Sequence, residues 1–313
     1  MTKIAVNWNT AYNTILITQN DLKKSFLNHS EDSVNLSFLV KEIKEFIWWN
    51  WLNIAYNLAL LWEKTKLFTA VWNDFEFNDF FKNNIDLSWV YYSKTNKTAR
   101  SFISTDEKKS YITSFYLWAI LDSNKIACEV KNDEKIDYAI VSASSKEAMI
   151  EKLEAFKNTW AKTFFDPGSQ VINMNKEELY KAFKNTNYLI VNQIEFEHIK
   201  KISELTDWEL IESFDKIIIT YWLKWSKIFD RNYYLDEVEW VENPNELDST
   251  WCSDAYKAGL ISGIKNWYSW KTSARVWAIL ASLCAWYIWP ENHKTSWEEL
   301  EKLYKDTFWE ELE

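Results

Sequence analysis

Trp48-Trp49-Asn50-Trp51-Leu52-Asn53-Ile54-Ala55, running on to Leu61-Trp62, is the stretch whose reading decides the fold. A helical run follows from about residue 52, but its entry is crowded with tryptophan where a chain normally uses glycine to turn. The same oddity marks Asp248-Ser249-Thr250-Trp251-Cys252-Ser253-Asp254. The whole chain of 313 residues holds three glycines and 21 tryptophans. Together these are 24 residues, about 7.7%, close to the roughly 7% glycine share of ordinary proteins. Two readings follow. Either a UGA codon that the source reads as glycine stands here as tryptophan, or the protein is unusually aromatic. The first predicts tryptophans at loops, helix ends and pocket walls, the places where glycine serves turns and close approach. Trp208 and Trp270 are allowed as exceptions to this pattern, and Trp297 fits either origin.

With glycine read at those positions, residues 48–55 become G-G-N-G-L-N-I-A. This resembles the N-terminal signature of the PfkB or ribokinase-like sugar and nucleoside kinases. Val71-Trp72-Asn73-Asp74 then reads V-G-N-D, similar to the family's following turn, and residues 248–255 read D-S-T-G-C-S-D-A, similar to its C-terminal D-T-x-G-x-G-D-A. Between them, Asn192-Gln193-Ile194-Glu195 matches N-x-x-E, and Thr220-Tyr221-Trp222-Leu223-Lys224-Trp225 matches T-x-G-x-x-G. The motifs occur in family order and span nearly the whole chain. The resemblance implies an α/β fold, a ribokinase-like three-layer αβα core with a mostly parallel sheet and a small β-sheet lid, as one kinase domain over residues 1–313.

Composition bounds the answer independently. A chain of this length holds one large α/β domain with an appended subdomain. The net charge of −10 argues against a nucleic-acid partner, because phosphate contacts need concentrated Lys and Arg. The longest strongly apolar stretch, Val276 to Trp289, is shorter than the roughly 20 residues that cross a bilayer. Met1-Thr2-Lys3-Ile4-Ala5-Val6 leads directly into a strand-like run without a signal-peptide pattern, so a cytoplasmic location is expected. Cys128, Cys252 and Cys284 are too scattered for a disulfide framework or metal cluster.

Short β-rich runs alternate with helical ones from about residue 137: Tyr138–Ser142, Lys146–Asn158, Thr163–Phe165, Lys176–Asn185, Tyr188–Val191, a helical region over 193–213, and Ile217–Tyr221. That alternation predicts βαβ units with right-handed crossovers. Asp254–Lys265, Ser269–Tyr287 and Ser296–Phe308 carry helical spacing, the last opening on a capping-box sequence, Ser296-Trp297-Glu298-Glu299. Segments of about 30–47 and 90–117 break the alternation as strands without helices. The resemblance implies that they form the lid over the acceptor site, where water would otherwise compete for the phosphoryl group.

Phosphoryl transfer needs positioning, neutralised phosphate charge and an acceptor for the hydroxyl proton. Trp251, Cys252 and Ser253 fall at the start of a helix, where free amides and the helix dipole favour an anion. The resemblance makes them the anion hole, and Asp254 the base. Ser253 departs from the family's usual second glycine, and a UGA codon cannot explain a serine; weakened catalysis is expected. Asn192 and Glu195 end a β-rich run and open a helical one, at the sheet edge where α/β proteins bind ligands. Glu195 is expected to hold Mg²⁺ through water. Asn192, Thr220, Trp222, Trp225 and Asn292 are the implied ATP residues. Asp248 resembles the family's monovalent-cation position, or it braces the loop. His29, His198 and His293 form no ligand spacing.

For the acceptor, Trp8-Asn9-Thr10-Ala11-Tyr12-Asn13 resembles the family's G-N-x-x-x-D, with Asn13 where an Asp usually grips sugar hydroxyls; Asn loses that charge. Trp48, Trp49 and Asn53 complete the expected sugar site, with Trp48, Trp49 and Trp251 converging on one cleft between sheet and lid. Asn35–Val40, Asn53–Leu61, Phe165-Asp166-Pro167-Gly168 and Thr250–Ile264 look most like bacterial adenosine-kinase-like members. The implied activity is ATP-dependent phosphorylation of the primary hydroxyl of adenosine or a related ribosyl substrate. A kinase for ribose or fructose, or a catalytically silent ligand-binding member of the fold, are the alternatives. The implied partners are a small sugar or nucleoside and ATP, with a homodimer through the lid.

Overall fold

The computed structural model describes residues 3–7, 10–19, 21–27, 37–48, 50–107, 110–126, 135–221, 225–241, 252–285 and 295–312. Among these residues thirteen strands form two sheets. In chain order they are β1 (Ile4–Asn7), β2 (Ala11–Thr18), β3 (Val40–Trp48), β4 (Thr65–Val71), β5 (Ile85–Tyr92), β6 (Ala99–Thr105) and β7 (Tyr111–Tyr116). There follow β8 (Tyr138–Ser142), β9 (Lys162–Asp166), β10 (Tyr188–Asn192), β11 (Lys216–Tyr221), β12 (Trp225–Asp230) and β13 (Leu235–Glu239). The helices are α1 (Leu22–Leu27), α2 (Asn50–Leu60), α3 (Asp79–Asn84), α4 (Lys146–Asn158) and α5 (Lys176–Lys184). After them come α6 (Gln193–Ser203), α7 (Asp207–Glu212), α8 (Cys252–Lys265), α9 (Trp270–Ala285) and α10 (Trp297–Phe308).

The large sheet has the order β13-β12-β11-β10-β9-β8-β1-β4-β5. It is parallel from β11 to β5 and closes with the antiparallel β12 and β13. Apolar side chains fill both faces of its central strands, as in Ile4–Val6 and Leu189–Val191, because helices cover the sheet on both sides. One core joins the sheet to α2, α8 and α9 through Ile54, Leu58, Ile261 and Trp277. A second joins it to α4, α5, α6 and α7 through Met149, Leu153, Leu179, Ile199 and Leu210. This is the three-layer αβα arrangement.

Helix starts are set by side-chain caps. Asn175, Asn192 and Thr206 each close a reciprocal capping box with Glu178, Glu195 and Glu209. Ser296 accepts from the Glu299 N–H and opens α10 one residue later than expected. The helical region over 193–213 is two helices, broken where Glu204 enters the left-handed region at φ 60°.

The small sheet has the order β3-β2-β6-β7 and is mixed, since β2 pairs antiparallel with β3 but parallel with β6. Two expectations need correction. Val90–Tyr92, placed in the second lid segment, belongs to β5 of the large sheet, because Thr69 to Val71 pair with them. The small sheet also takes β2, a strand not foreseen at residues 11–18. It alternates inward Asn13 with outward residues too weakly for periodicity to show. The β12–β13 hairpin was also not foreseen.

Candidate active site

The carboxyl ends of neighbouring parallel strands lie side by side: Ser142 of β8 is in register with Asp166 of β9, and Asn192 of β10 with Thr220 of β11. Helix α8 approaches this edge with its N-terminus. Cys252, Ser253 and Asp254 form its first turn, where backbone N–H groups have no partner within the helix. Ser253 is exposed, whereas Asp254 is 2% exposed.

Each carboxylate oxygen of Asp254 faces a donor. Asn53 Nδ2, from α2, donates to Oδ2 at 3.2 Å, and Lys257 Nζ lies 3.5 Å from Oδ1. Lys257 is closer to Asp166, at 2.6 Å from its Oδ2, and Ser142 Oγ donates to the same oxygen at 3.0 Å. Burial pushes the Asp254 pKa up to about 7, against the opposing pull of Lys257 and Asn53. Burial works against the Lys257 ammonium as well, yet Asp166 and Asp254 hold its pKa above the ordinary lysine value. Asn53 is fully buried, and its Oδ1 has no hydrogen-bond partner among the described residues. A buried acceptor left open costs about 1–3 kcal/mol unless something donates to it.

Glu195 lies in the first turn of α6. Its carboxylate accepts from the Asn192 N–H at 2.9 Å, and Asn192 Oδ1 accepts from the Glu195 N–H at 2.8 Å. The N-x-x-E motif is therefore also a helix cap. Burial, then the nearby charge of Asp166, raises the Glu195 pKa to about 7. Among the described residues no three His, Cys, Asp or Glu side chains are arranged as a metal cage. Asp166, Glu195 and Asp254 nevertheless outnumber the one ammonium between them, a charge balance that suits a hydrated divalent cation.

Asn13 is buried on β2, where its Oδ1 accepts from Ser101 Oγ of β6. Next to it, Tyr12 donates from its hydroxyl to the Asp74 carbonyl. Thr98 donates to the Asp74 carboxylate and Arg100 lies 3.9 Å from it, so the loop after β4 is tied to β6. Thr220 lies near the end of β11, and Trp225 opens β12 with 42% exposure. Trp48 ends β3, opposite Ala11. Trp49, Trp222, Asp248, Trp251 and Asn292 lie outside the described residues, as does His293.

The structure thus brings Asn53, Cys252, Ser253 and Asp254 together, and sets Asn192, Glu195 and Thr220 along the adjoining sheet edge. Asn13 and Trp225 belong to other elements, the small sheet and the outer hairpin. Lys257 and Asp166 carried no assigned role in the sequence. The signal was present: Lys257 is the one charged residue between Asp254 and Lys265, three residues from Asp254 and so on its face of the helix.

No family model matches the chain. Over 260 residues it is 25% identical to a nucleoside kinase of Methanocaldococcus jannaschii, covering 81% of this chain and 84% of that protein. Among solved structures, the nucleoside kinase of M. jannaschii, an archaeal member of the ribokinase family, superposes with a TM-score of 0.85 at 21% identity. The match covers 98% of this chain and 99% of that one. The nucleoside kinase of Burkholderia thailandensis in complex with inosine gives a TM-score of 0.83 at 20% identity, covering 98% and 99%.

Proposed function

We propose that this chain, a PfkB/ribokinase-like kinase by fold and by sequence similarity, transfers the γ-phosphoryl group of ATP to the primary hydroxyl of adenosine or a related ribosyl nucleoside. The observation that carries this reading is the buried Asp254 carboxylate in the first turn of α8, bonded by Asn53 Nδ2 while Asn53 Oδ1 is left as an open acceptor beside it. The similarity to nucleoside kinases over most of the chain supports the acceptor class.

Asp254 receives the proton of the acceptor hydroxyl as its oxygen attacks the γ-phosphorus, the bond to the β–γ bridging oxygen breaks, and ADP leaves. A base with a pKa near 7 suits this transfer at neutral pH. Asn53 Oδ1 accepts from a second acceptor hydroxyl and orients the first. The amides of Cys252 and Ser253 face the charge that develops on the transferring group, with Trp251 completing the anion hole. Thr220, Asn192, Trp222, Trp225 and Asn292 flank ATP. Mg²⁺, held through water at Glu195, supplies charge neutralisation of the phosphates when bound. Asp248 is assigned to a monovalent cation. The small sheet closes the site from water, with Asn13, Trp48 and Trp49 on the acceptor side. A cytoplasmic location belongs to the same reading.

ADP release measured with adenosine, inosine, ribose and fructose tests the proposal, using the chain with glycine at the positions read above as recoded. Turnover is expected to be fastest with a nucleoside. Faster turnover of ribose or fructose replaces the acceptor. Binding without turnover of any of the four makes the chain a silent ligand-binding member of the fold.

A further inference from the structure

We infer that Lys257 is a positioning residue for the transfer, clamping Asp254 from the side opposite Asn53 while it is itself anchored on Asp166. This rests on the function proposed above. The ammonium is buried and sits 2.6 Å from Asp166 and 3.5 Å from Asp254, and Ser142 holds the Asp166 carboxylate from behind. The carboxylate of Asp254 therefore cannot rotate without losing a donor at one oxygen or the other. Without the ammonium, two buried carboxylates would face each other with no counter-cation between them, at a large cost in desolvated charge.

Steady-state kinetics of Lys257→Met, Lys257→Arg and Asp254→Asn test this. Lys257→Met is expected to lower kcat about 100-fold, with KM for nucleoside and ATP nearly unchanged. Lys257→Arg is expected to recover most of the loss, because it restores a cation at the same place. A kcat within a few-fold of the parent in Lys257→Met overturns the inference, as does failure of the arginine variant to recover when its thermal midpoint matches the parent. If the methionine variant does not fold, Asp166→Asn carries the test: it keeps the ammonium but weakens its anchor, and an unchanged kcat overturns the inference. Loss of turnover in Asp254→Asn with full turnover in Lys257→Met removes this inference alone. Full turnover in Asp254→Asn removes the function reading itself.

A separate observation sorts the tryptophans. The structure assigns glycine in the native protein to positions 62, 160, 267, 309 and 277, and tryptophan to 270 and 297. Of the six non-glycine residues with positive φ among those described, four are Trp62, Trp160, Trp267 and Trp309. Each follows a helix end, and their exposures are 84, 93, 93 and 90%, so the indoles pack on little. After Trp62, Trp160 and Trp267 the next residue's N–H bonds a carbonyl five residues back: Glu63 to Leu58, Ala161 to Phe156 and Tyr268 to Gly263. That is the Schellman closure, whose left-handed position is usually glycine.

Trp277 fails for a different reason. Helices α8 and α9 meet through small residues, where a Cβ on Gly259 would lie 3.0 Å from Trp277 Cα and one on Gly263 2.9 Å from Ser273 Cα. The Trp277 indole overlaps the Tyr256 ring there, and its N–H is buried with no acceptor among the described residues. Trp270, by contrast, packs edge-on to Tyr188 at 4.9 Å, and the Trp297 N–H donates to the Leu61 carbonyl at 3.2 Å.

Peptide mass spectrometry of the protein from its own cells, read against the codons of its gene, tests the assignment. Glycine from UGA at the five positions and tryptophan from UGG at 270 and 297 is expected. Tryptophan at the five, or glycine at 270 and 297, overturns it. In recombinant protein of the sequence as written, Trp277→Gly is expected to raise the thermal midpoint and Trp270→Gly to lower it. The reverse order also overturns it.

Discussion

At the residue scale, the proposed chemistry depends on a carboxylate that burial makes reluctant to ionise. Asp254 must be deprotonated to accept a proton, and its pKa stands near 7. kcat/KM is therefore expected to rise with pH through about 7 and level off above it, a rise that Asp254→Asn abolishes together with several orders of magnitude of turnover. A flat profile from pH 5 to 8 in the parent would remove Asp254 from the base role. Ser253, one residue earlier, is exposed in the first turn of α8 and sits where the resembling family has glycine. Ser253→Gly is expected to raise turnover if its Cβ restrains the amides that meet the phosphate. An unchanged rate would show that the backbone is already suited.

At the element scale, α8 carries the proposed site residues and packs closely on α9. Ser273 leaves no room for a Cβ at Gly263, the nearest atoms being at 2.7–2.9 Å and including backbone. Gly263→Ala is expected to cost about 1–3 kcal/mol of stability by overpacking, measured by urea unfolding. A neutral result would show that the two helices can part without consequence. The same end of α8 is pinned by Glu63, buried after α2, which accepts from Ser262, Asn266 and Lys265. Because α2 supplies Asn53 and α8 supplies Asp254, this polar link ties together the two helices that carry them.

At the scale of the whole molecule, the proposed base role of Asp254 and stability oppose one another. Its folded pKa lies above the ordinary carboxylate value, so its burial favours the fold below about pH 4 and that contribution is lost as pH rises through about 7. Asp254→Asn is accordingly expected to be more stable than the parent at pH 8, on the order of 2 kcal/mol, with the gap closing toward pH 4. Thermal unfolding across that range checks it. The small sheet makes a second whole-molecule prediction. Ile43, 62% exposed, and Phe102, 41% exposed, lie on one face of β3-β2-β6, opposite the face that carries Asn13 and Ser101. The family resemblance implies a homodimer through the small sheet, which would cover this face. Sedimentation is expected to show a dimer that Ile43→Glu with Phe102→Glu dissociates; a monomeric parent would sink it.

The alternation of short β-rich and helical runs from residue 138 determined the parallel sheet and its covering helices, with Tyr138–Ser142 and Lys146–Asn158 matching to the residue. That part is legible because strands buried on both faces and amphipathic helices each impose a local period. Composition alone also exposed the tryptophan anomaly. Only the tertiary structure decided that residues 11–18 join the small sheet, since a strand's partner is set by which edge lies free. It alone brought Lys257 onto Asp166, 91 residues away in the chain. A sequence shows a lysine three residues after an aspartate. The carboxylate on its other side comes from a neighbouring strand, and ion pairing between distant residues leaves no periodic trace in a chain.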